Sequence, residues 1–164
     1  MHDVAIREYG AADEEALVDL SLRAWEPVFH SVEDVVGAEI NRRLHGDDWR
    51  PYQEAQVRDV LARSGMRTWV AETADGALVG FAAAAIVDPQ RKIGELAMLA
   101  VSPDSQQQGL GTALTEIATE WLRERGMRVA YISTGGDTGH APARRVYEKA
   151  SYTLYPSAQY FKAL

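Results

Sequence analysis

The 164-residue sequence contains no cysteine. Disulfides, thiolate metal sites and a cysteine acyl-enzyme are therefore excluded. Positive charge is also in deficit: 17 Lys and Arg against 24 Asp and Glu leave a formal net charge of -7. That balance argues against nucleic acid or an anionic membrane as the main partner. No apolar run approaches the roughly 20 residues of a membrane-spanning helix. The first ten residues, MHDVAIREYG, lack the basic and apolar regions of a signal peptide, so a cytoplasmic protein is expected. Histidine is scarce, and His2, His30, His45 and His140 show no ligand spacing such as H-E-x-x-H, so no metal site is expected. The length suits one domain over residues 1–164, large enough for a proper core.

What is present is organised around Glu95 to Arg125. ELAMLAV is a nearly continuous apolar run, as in a strand buried on both faces. Ser102-Pro103-Asp104 ends it, because proline cannot continue the hydrogen-bond ladder. From Leu110 the apolar residues Ala113, Leu114, Ile117, Ala118, Trp121 and Leu122 form a helical stripe, stopped by Gly126. Gly109 and Gly111 therefore lie where a strand turns into a helix. A helix N-terminus offers unpaired N–H groups and roughly half a positive charge, and glycines let a pyrophosphate approach them. A simple tight turn is the alternative reading of the same two glycines. A P-loop is excluded because no Lys-Ser/Thr follows, and a dinucleotide G-x-G-x-x-G because Leu114 holds the third glycine's place.

Elsewhere, Val4–Arg7 reads as a strand, and Asp13-Glu14-Glu15 as a helix first turn followed by the face Ala16, Leu17, Leu20 and Ala24. A second helix is predicted over Val32–Leu44 with Ser31 as N-cap, and a third over Tyr52–Arg63. Thr68–Glu72 and Leu78–Ala82 flank Asp75-Gly76, a hairpin signal. Arg128–Ser133 is a further strand, and residues 134–139 form a glycine-rich loop. Pro142 opens a last helix carrying Ala143, Val146, Tyr147 and Ala150. Tyr152–Tyr155 and Gln159–Phe161 suggest a closing hairpin around Pro156-Ser157.

Gln106-Gln107-Gln108-Gly109-Leu110-Gly111 directly follows the Glu95 strand and its Val101-Ser102-Pro103 exit. This fits Q/R-x-x-G-x-G/A and resembles the acetyl-CoA signature of the GCN5-related N-acetyltransferase (GNAT) superfamily. Ala143-x-x-x-Tyr147 resembles the family's later A-x-x-x-Y segment, so the likeness extends over nearly the whole chain. The resemblance implies an α/β fold, with a mixed, mostly antiparallel central sheet flanked by helices (the acyl-CoA N-acyltransferase fold). It also implies direct acetyl transfer from acetyl-CoA to a primary amine in a ternary complex, with CoA as product. A non-catalytic acyl-CoA-sensing module and a transferase for a longer acyl chain are the alternatives. The implied partners are a small-molecule or peptide amine, with a homodimer as an option.

By the same resemblance, Glu95 is the general base toward the acceptor ammonium, which must lose a proton before it can attack a thioester. Tyr147 is the acid that protonates the leaving thiolate; a phenol of ordinary pKa near ~10 stays protonated at neutrality. Main-chain groups of Leu99, Ala100 and Val101 would pair with pantetheine like an added strand. Gln106, Gln107, Gln108, Gly109, Leu110, Gly111 and Thr112 would form the phosphate loop, and Arg144 would reach a phosphate. Trp25, Phe29, His30, Trp49 and Tyr155 are the acceptor-pocket candidates. The pattern departs in three places. His140 stands where many relatives carry asparagine near pantetheine. Ser151 replaces a helix-ending glycine, at a cost of ~1 kcal/mol if that position is left-handed. The three glutamines lack the arginines common in relatives, which leaves phosphate binding mainly to backbone amides.

Overall fold

A computed structural model describes residues 4–164, so His2 lies outside the described residues. The apolar runs form one five-stranded sheet: β1 (Val4–Glu8), β2 (Arg67–Thr73), β3 (Leu78–Asp88), β4 (Ile93–Val101) and β5 (Val129–Tyr131), in spatial order β1-β2-β3-β4-β5. The first three pairings are antiparallel and β4–β5 is parallel. The sheet is therefore mixed and mostly antiparallel. Gly76 makes the β2–β3 turn at φ +87°, a conformation that a Cβ would strain.

Helices cover both faces of the sheet. They are α1 (Glu14–Val36), α2 (Ala38–His45), α3 (Trp49–Ala62), α4 (Leu110–Glu124) and α5 (Ala141–Lys149). On one face, Leu114, Ala118 and Leu122 of α4 pack on Ala82, Ala84 and Leu96. On the other, Leu17 and Leu20 of α1 and Val57 of α3 pack on Val70, Phe81 and Ala100. The run Ala82–Ala85 is buried throughout, so β3 lies between the two helical layers. Each fully buried leucine contributes on the order of 2 kcal/mol. Among the described residues no helix is long and apolar enough to cross a membrane.

Two local expectations change, and one open point is decided. Ser31 does not start a helix; α1 runs on through Pro27 and Ser31 and ends at Gly37, whose φ is +84°. The reason is that the Ser31 hydroxyl bonds Asp137 and lies 3.2 Å from the Thr138 hydroxyl, both distant in sequence, instead of capping a local N–H. The closing hairpin does not form, and residues 153–164 adopt no regular structure. A two-stranded hairpin is marginal without a third strand or a helix to pack on. Finally, Ser151 does take the left-handed conformation, at φ +66°. Tyr152 N–H to the Tyr147 carbonyl and Ser151 N–H to the Glu148 carbonyl, both 3.0 Å, close the end of α5 despite the serine.

Candidate active site

β4 and β5 pair over only three rungs, the last being Glu95 opposite Tyr131. Past that rung the two chains part. A β-bulge explains the divergence. Ala83 pairs with Met98 but Ala84 with Leu96, so Ala97 is an extra residue on β4. Leu96 and Leu99 consequently both face the α4 core although they are three apart in sequence, and a bulged strand bends away from its neighbour. Gly94 assists, since a Cβ there would lie 2.9 Å from Leu122 Cδ1 and closer to Cδ2. Among the described residues, the outer edge of β4 from Leu96 to Val101 has no strand partner. The Val101 carbonyl is met by the Gln106 side-chain amide at 3.2 Å.

The gap has two chemically different sides. Gly94 and Leu96 face α4, so alternation turns Glu95 toward the α1 and α3 side. The Tyr131 phenol is held above its ordinary pKa, first by burial and then by the adjacent Glu95 carboxylate. Tyr147, on α5, packs instead within the α4 core. Burial pushes its phenol up to about 12, with Tyr152 contributing further. Such a hydroxyl is protonated throughout the neutral range.

The lower end of the gap meets the N-terminus of α4. Gln107 and Gly109 both have positive φ, 61° and 81°, and the turn aims the first α4 amides, of Leu110, Gly111 and Thr112, away from the helix. Nothing lies within 4 Å of a Cβ placed on Gly109, whereas one on Gly111 would meet Val146 Cγ2 at 3.2 Å. Gly109 is thus demanded by backbone conformation, and Gly111 by the close packing of α4 on α5. The sequence left phosphate approach and a tight strand-to-helix turn open for both glycines; the left-handed Gly109 suits either, and the contact with Val146 is a further demand on Gly111.

Beyond β5, residues 134–140 are tied to α1 by a polar network that no local pattern in the sequence announces. Asp137 accepts from the Ser31 hydroxyl at 2.6 Å on one carboxylate oxygen and meets His140 Nδ1 at 2.5 Å on the other. The Gly139 N–H bonds both Ser31 Oγ, at 2.9 Å, and Asp137 Oδ2, at 3.0 Å. Arg144 donates to the carbonyls of Gly135 and Asp137 at 2.6 and 2.8 Å. Burial alone would raise the Asp137 pKa, but the Ser31 and His140 hydrogen bonds outweigh it, and the carboxyl sits below its usual range. A Cβ on Gly135 would lie 2.7 Å from His140 Cε1, and one on Gly139 2.7 Å from Ser31 Cβ. The nearest thing to a signal in the sequence was the run Gly135-Gly136-Asp137-Thr138-Gly139-His140, in which glycines alternate with a carboxylate and an imidazole.

A family model described as the acetyltransferase (GNAT) family matches residues 17–152. The chain belongs to that family. Among curated GNAT relatives, a mycothiol acetyltransferase of Saccharomonospora viridis is 33% identical over 127 residues, 69% of this chain and 41% of the relative. Another, from Tsukamurella paurometabola, is 30% identical over 151 residues, 92% of this chain and 48% of the relative. The chain thus spans less than half the length of these two proteins. A solved structure of AAC(6')-Iy in complex with the bisubstrate analog CoA-S-monomethyl-acetylneamine superposes with a TM-score of 0.66 at 18% identity, covering 99% of each chain. That likeness concerns the fold.

On this GNAT fold, Glu95 stands on the last β4–β5 rung, Leu99 to Val101 lie on the β4 edge beyond it, and residues 106–112 make the turn that opens α4, while Tyr147 packs on the α4 core and His140 pairs with Asp137. Arg144 holds the neighbouring loop through backbone carbonyls. Of the expected acceptor residues, Phe29 and Trp49 come together. Phe29 is buried and stacked on Trp49 at 4.4 Å, with His45 and Tyr52 edge-on, in a cluster joining α1, α2 and α3. Trp25 packs against the α1–α3 core, His30 is exposed, and Tyr155 stands 88% exposed on the irregular last segment. Phe29 is buried among the rings of Trp49, His45 and Tyr52 and not in the core formed by Leu17 and Leu20, and its neighbour His30 is left outside. Two surface hollows of about 560 and 440 Å³ lie on the outer face of α4 and among α1 to α3; Glu95 and Tyr147 line neither.

Proposed function

We propose that residues 1–164 form one acetyltransferase domain that moves an acetyl group from acetyl-CoA to the amine of a small molecule by direct transfer in a ternary complex. One observation carries the reading: past the Glu95–Tyr131 rung the edge of β4 is left unpaired among the described residues and leads into the glycine turn that opens α4, with Glu95 at its head. Acetyl-CoA supplies an activated thioester. The residues present suit it. The unpaired edge of Leu99 to Val101 can hydrogen-bond the pantetheine amides as a strand would, with Gln106 moving off the Val101 carbonyl. The α4 amides from Leu110 to Thr112, at a turn cleared by Gly109, suit the pyrophosphate. His140 and its loop form the facing wall.

In this arrangement Glu95 accepts the proton of the incoming ammonium from the α1 side. The β4 edge offers N–H groups to the carbonyl oxygen, where negative charge develops. Tyr147 delivers a proton to the departing sulfur from the α4 side. The names of the relatives, for mycothiol and for aminoglycosides, favour a small polyfunctional amine, and the net charge of -7 suits a cationic one.

The test is Glu95→Gln, assayed by CoA release with a panel of amines. Activity in the wild type supports acetyl transfer, and its absence across the panel, with CoA still binding, favours a sensing module. If Glu95 is the base, the variant loses on the order of 10²-fold or more in kcat/KM at neutral pH. It recovers only as the amine itself deprotonates, near the ~10 of an alkyl ammonium. A raised KM with an unchanged pH profile would instead mean that Glu95 only attracts the cation.

A further inference from the structure

The loop after β5 ends in an oriented imidazole. His140 meets Asp137 through Nδ1 at 2.5 Å, and an ionised carboxylate only accepts, so Nδ1 carries the proton and Nε2 keeps its lone pair. The carboxylate is itself fixed, because the Ser31 hydroxyl and the Gly139 N–H both hold its other oxygen. Nε2 has no hydrogen-bond partner among the described residues, and the side chain stays 21% exposed. The loop does not need the ring as a staple. Arg144 already bonds the Gly135 and Asp137 carbonyls, and the Gly139 N–H already bonds Ser31 Oγ.

We propose that His140, oriented by Asp137, takes up at Nε2 the proton that the acceptor amine surrenders, in series with Glu95. This role rests on the acetyl-transfer reading given above. Position supports it. The loop lies on α1, since a Cβ on Gly139 would stand 3.0 Å from Val28 Cα and 2.7 Å from Ser31 Cβ. Glu95 is turned to that same side of the sheet. His140 is also the N-cap of α5, whose Tyr147 packs on the α4 core. The groups that handle the amine's proton thus gather on the α1 side, and the one that serves the sulfur stands on the α4 side.

The proton balance closes. The ammonium N–H bond breaks toward Glu95, and the free amine attacks the thioester carbonyl. Water in the cleft carries the proton from the Glu95 carboxyl to Nε2, which restores the carboxylate. The imidazolium keeps its Nδ1–H on Asp137, as the aspartate of a serine-protease triad steadies its histidine, and loses the Nε2 proton to solvent. The charged groups facing the ring are Asp137, the N-terminal end of α5, and Arg144, whose guanidinium is turned onto backbone carbonyls. From α1, among the described residues, the loop receives the Ser31 hydroxyl and no charged side chain; His30, Glu33 and Asp34 beside it are exposed. Ser31 donates to Asp137 and not to the imidazole, so no nucleophile is being prepared.

The first readout needs no turnover. Nitrogen NMR of the full chain, with His140→Asn identifying the ring's signals, should show the Nδ1–H tautomer of the neutral imidazole, lost in Asp137→Asn. The second is kcat/KM against pH, followed by CoA release with the amine panel. His140→Asn keeps a side-chain amide that still donates to Asp137, so Tm and calorimetric CoA binding should stay near wild type. Its kcat/KM should fall on the order of 10²-fold, and one ionisation should vanish from the profile. Because the two groups act on one proton, adding His140→Asn to Glu95→Gln should cost less than about tenfold more. An Nε2–H tautomer, a pH profile unchanged in His140→Asn, or losses that add in full overturns the proposal and leaves acetyl transfer standing. A wild-type chain that releases no CoA with any amine, yet shows the Nδ1–H tautomer, removes the acetyl-transfer reading and this role with it.

Discussion

Two adjacent glycines offer a controlled experiment on the network that ties the loop 134–140 to α1. Neither Gly135 nor Gly136 has a positive φ, so alanine is conformationally tolerable at both. A Cβ on Gly136 meets nothing within 4 Å, whereas one on Gly135 collides with Asp137 Oδ1 and His140. Gly135→Ala must therefore break the His140–Asp137 contact or displace the loop that holds it. Both side chains are well covered, at 21% and 12% exposure, so the charge-assisted bonds are only partly screened. Losing them costs about 1–3 kcal/mol. At about 2–4 °C per kcal/mol for a chain of this size, Tm should fall by roughly 3–10 °C. Gly136→Ala should stay within about 0.5 kcal/mol of wild type. The effect should also depend on pH. The Asp137 pKa is depressed in the fold, so its contribution is present above the unfolded carboxylate value of ~3.9 and is lost as pH falls through the lower folded value. Thermal unfolding of both variants and the wild type at pH 7 and in acid measures this. Equal Tm values for the two variants, or a gap that persists unchanged in acid, would refute the reasoning.

Tyr147→Phe should lower kcat by roughly 10²-fold with little change in acetyl-CoA affinity, and normal turnover would make Tyr147 a packing residue. Because the folded Tyr147 pKa is raised from 10.0 to about 12, its contribution to stability is complete below pH ~10 and is lost between the two values. That loss is on the order of 2–3 kcal/mol. Denaturant titrations across pH 9–12 should show a shallower decline in Tyr147→Phe than in the wild type, with Tyr152 supplying the remainder. Gly109→Val strains a left-handed turn in open space and should weaken calorimetric CoA binding at least tenfold. Gly111→Val, by wedging α4 from Val146, should lower Tm further than Gly109→Val does; the reverse order would mean that α4–α5 packing is not what Gly111 serves.

Local chemistry carried much of this protein's identity. The apolar run before Ser102-Pro103, the glycine turn and the stripe from Leu110 to Leu122 specified strand, turn and helix. Periodicity and proline act within a few residues, so a single sequence displays them. Motif spacing put Glu95 on the central strand and Tyr147 on the last helix, where β4 and α5 carry them. What lay outside the sequence's reach depends on partners distant along the chain. Ser31 looked like a helix cap until Asp137, more than a hundred residues away, took its hydroxyl. Phe29 looked available until Trp49 stacked on it. The bulge at Ala97 is a mismatch between β3 and β4 and belongs to neither strand alone, yet it falls where β4 parts from β5 beyond Glu95. Gly111 differs from Gly109 only because Val146 of another helix occupies the space beside it. Sequence determined which elements form and which side chains can do chemistry. Tertiary structure decided which of those side chains share a cleft, because register, helical phase and close packing are properties of pairs of elements.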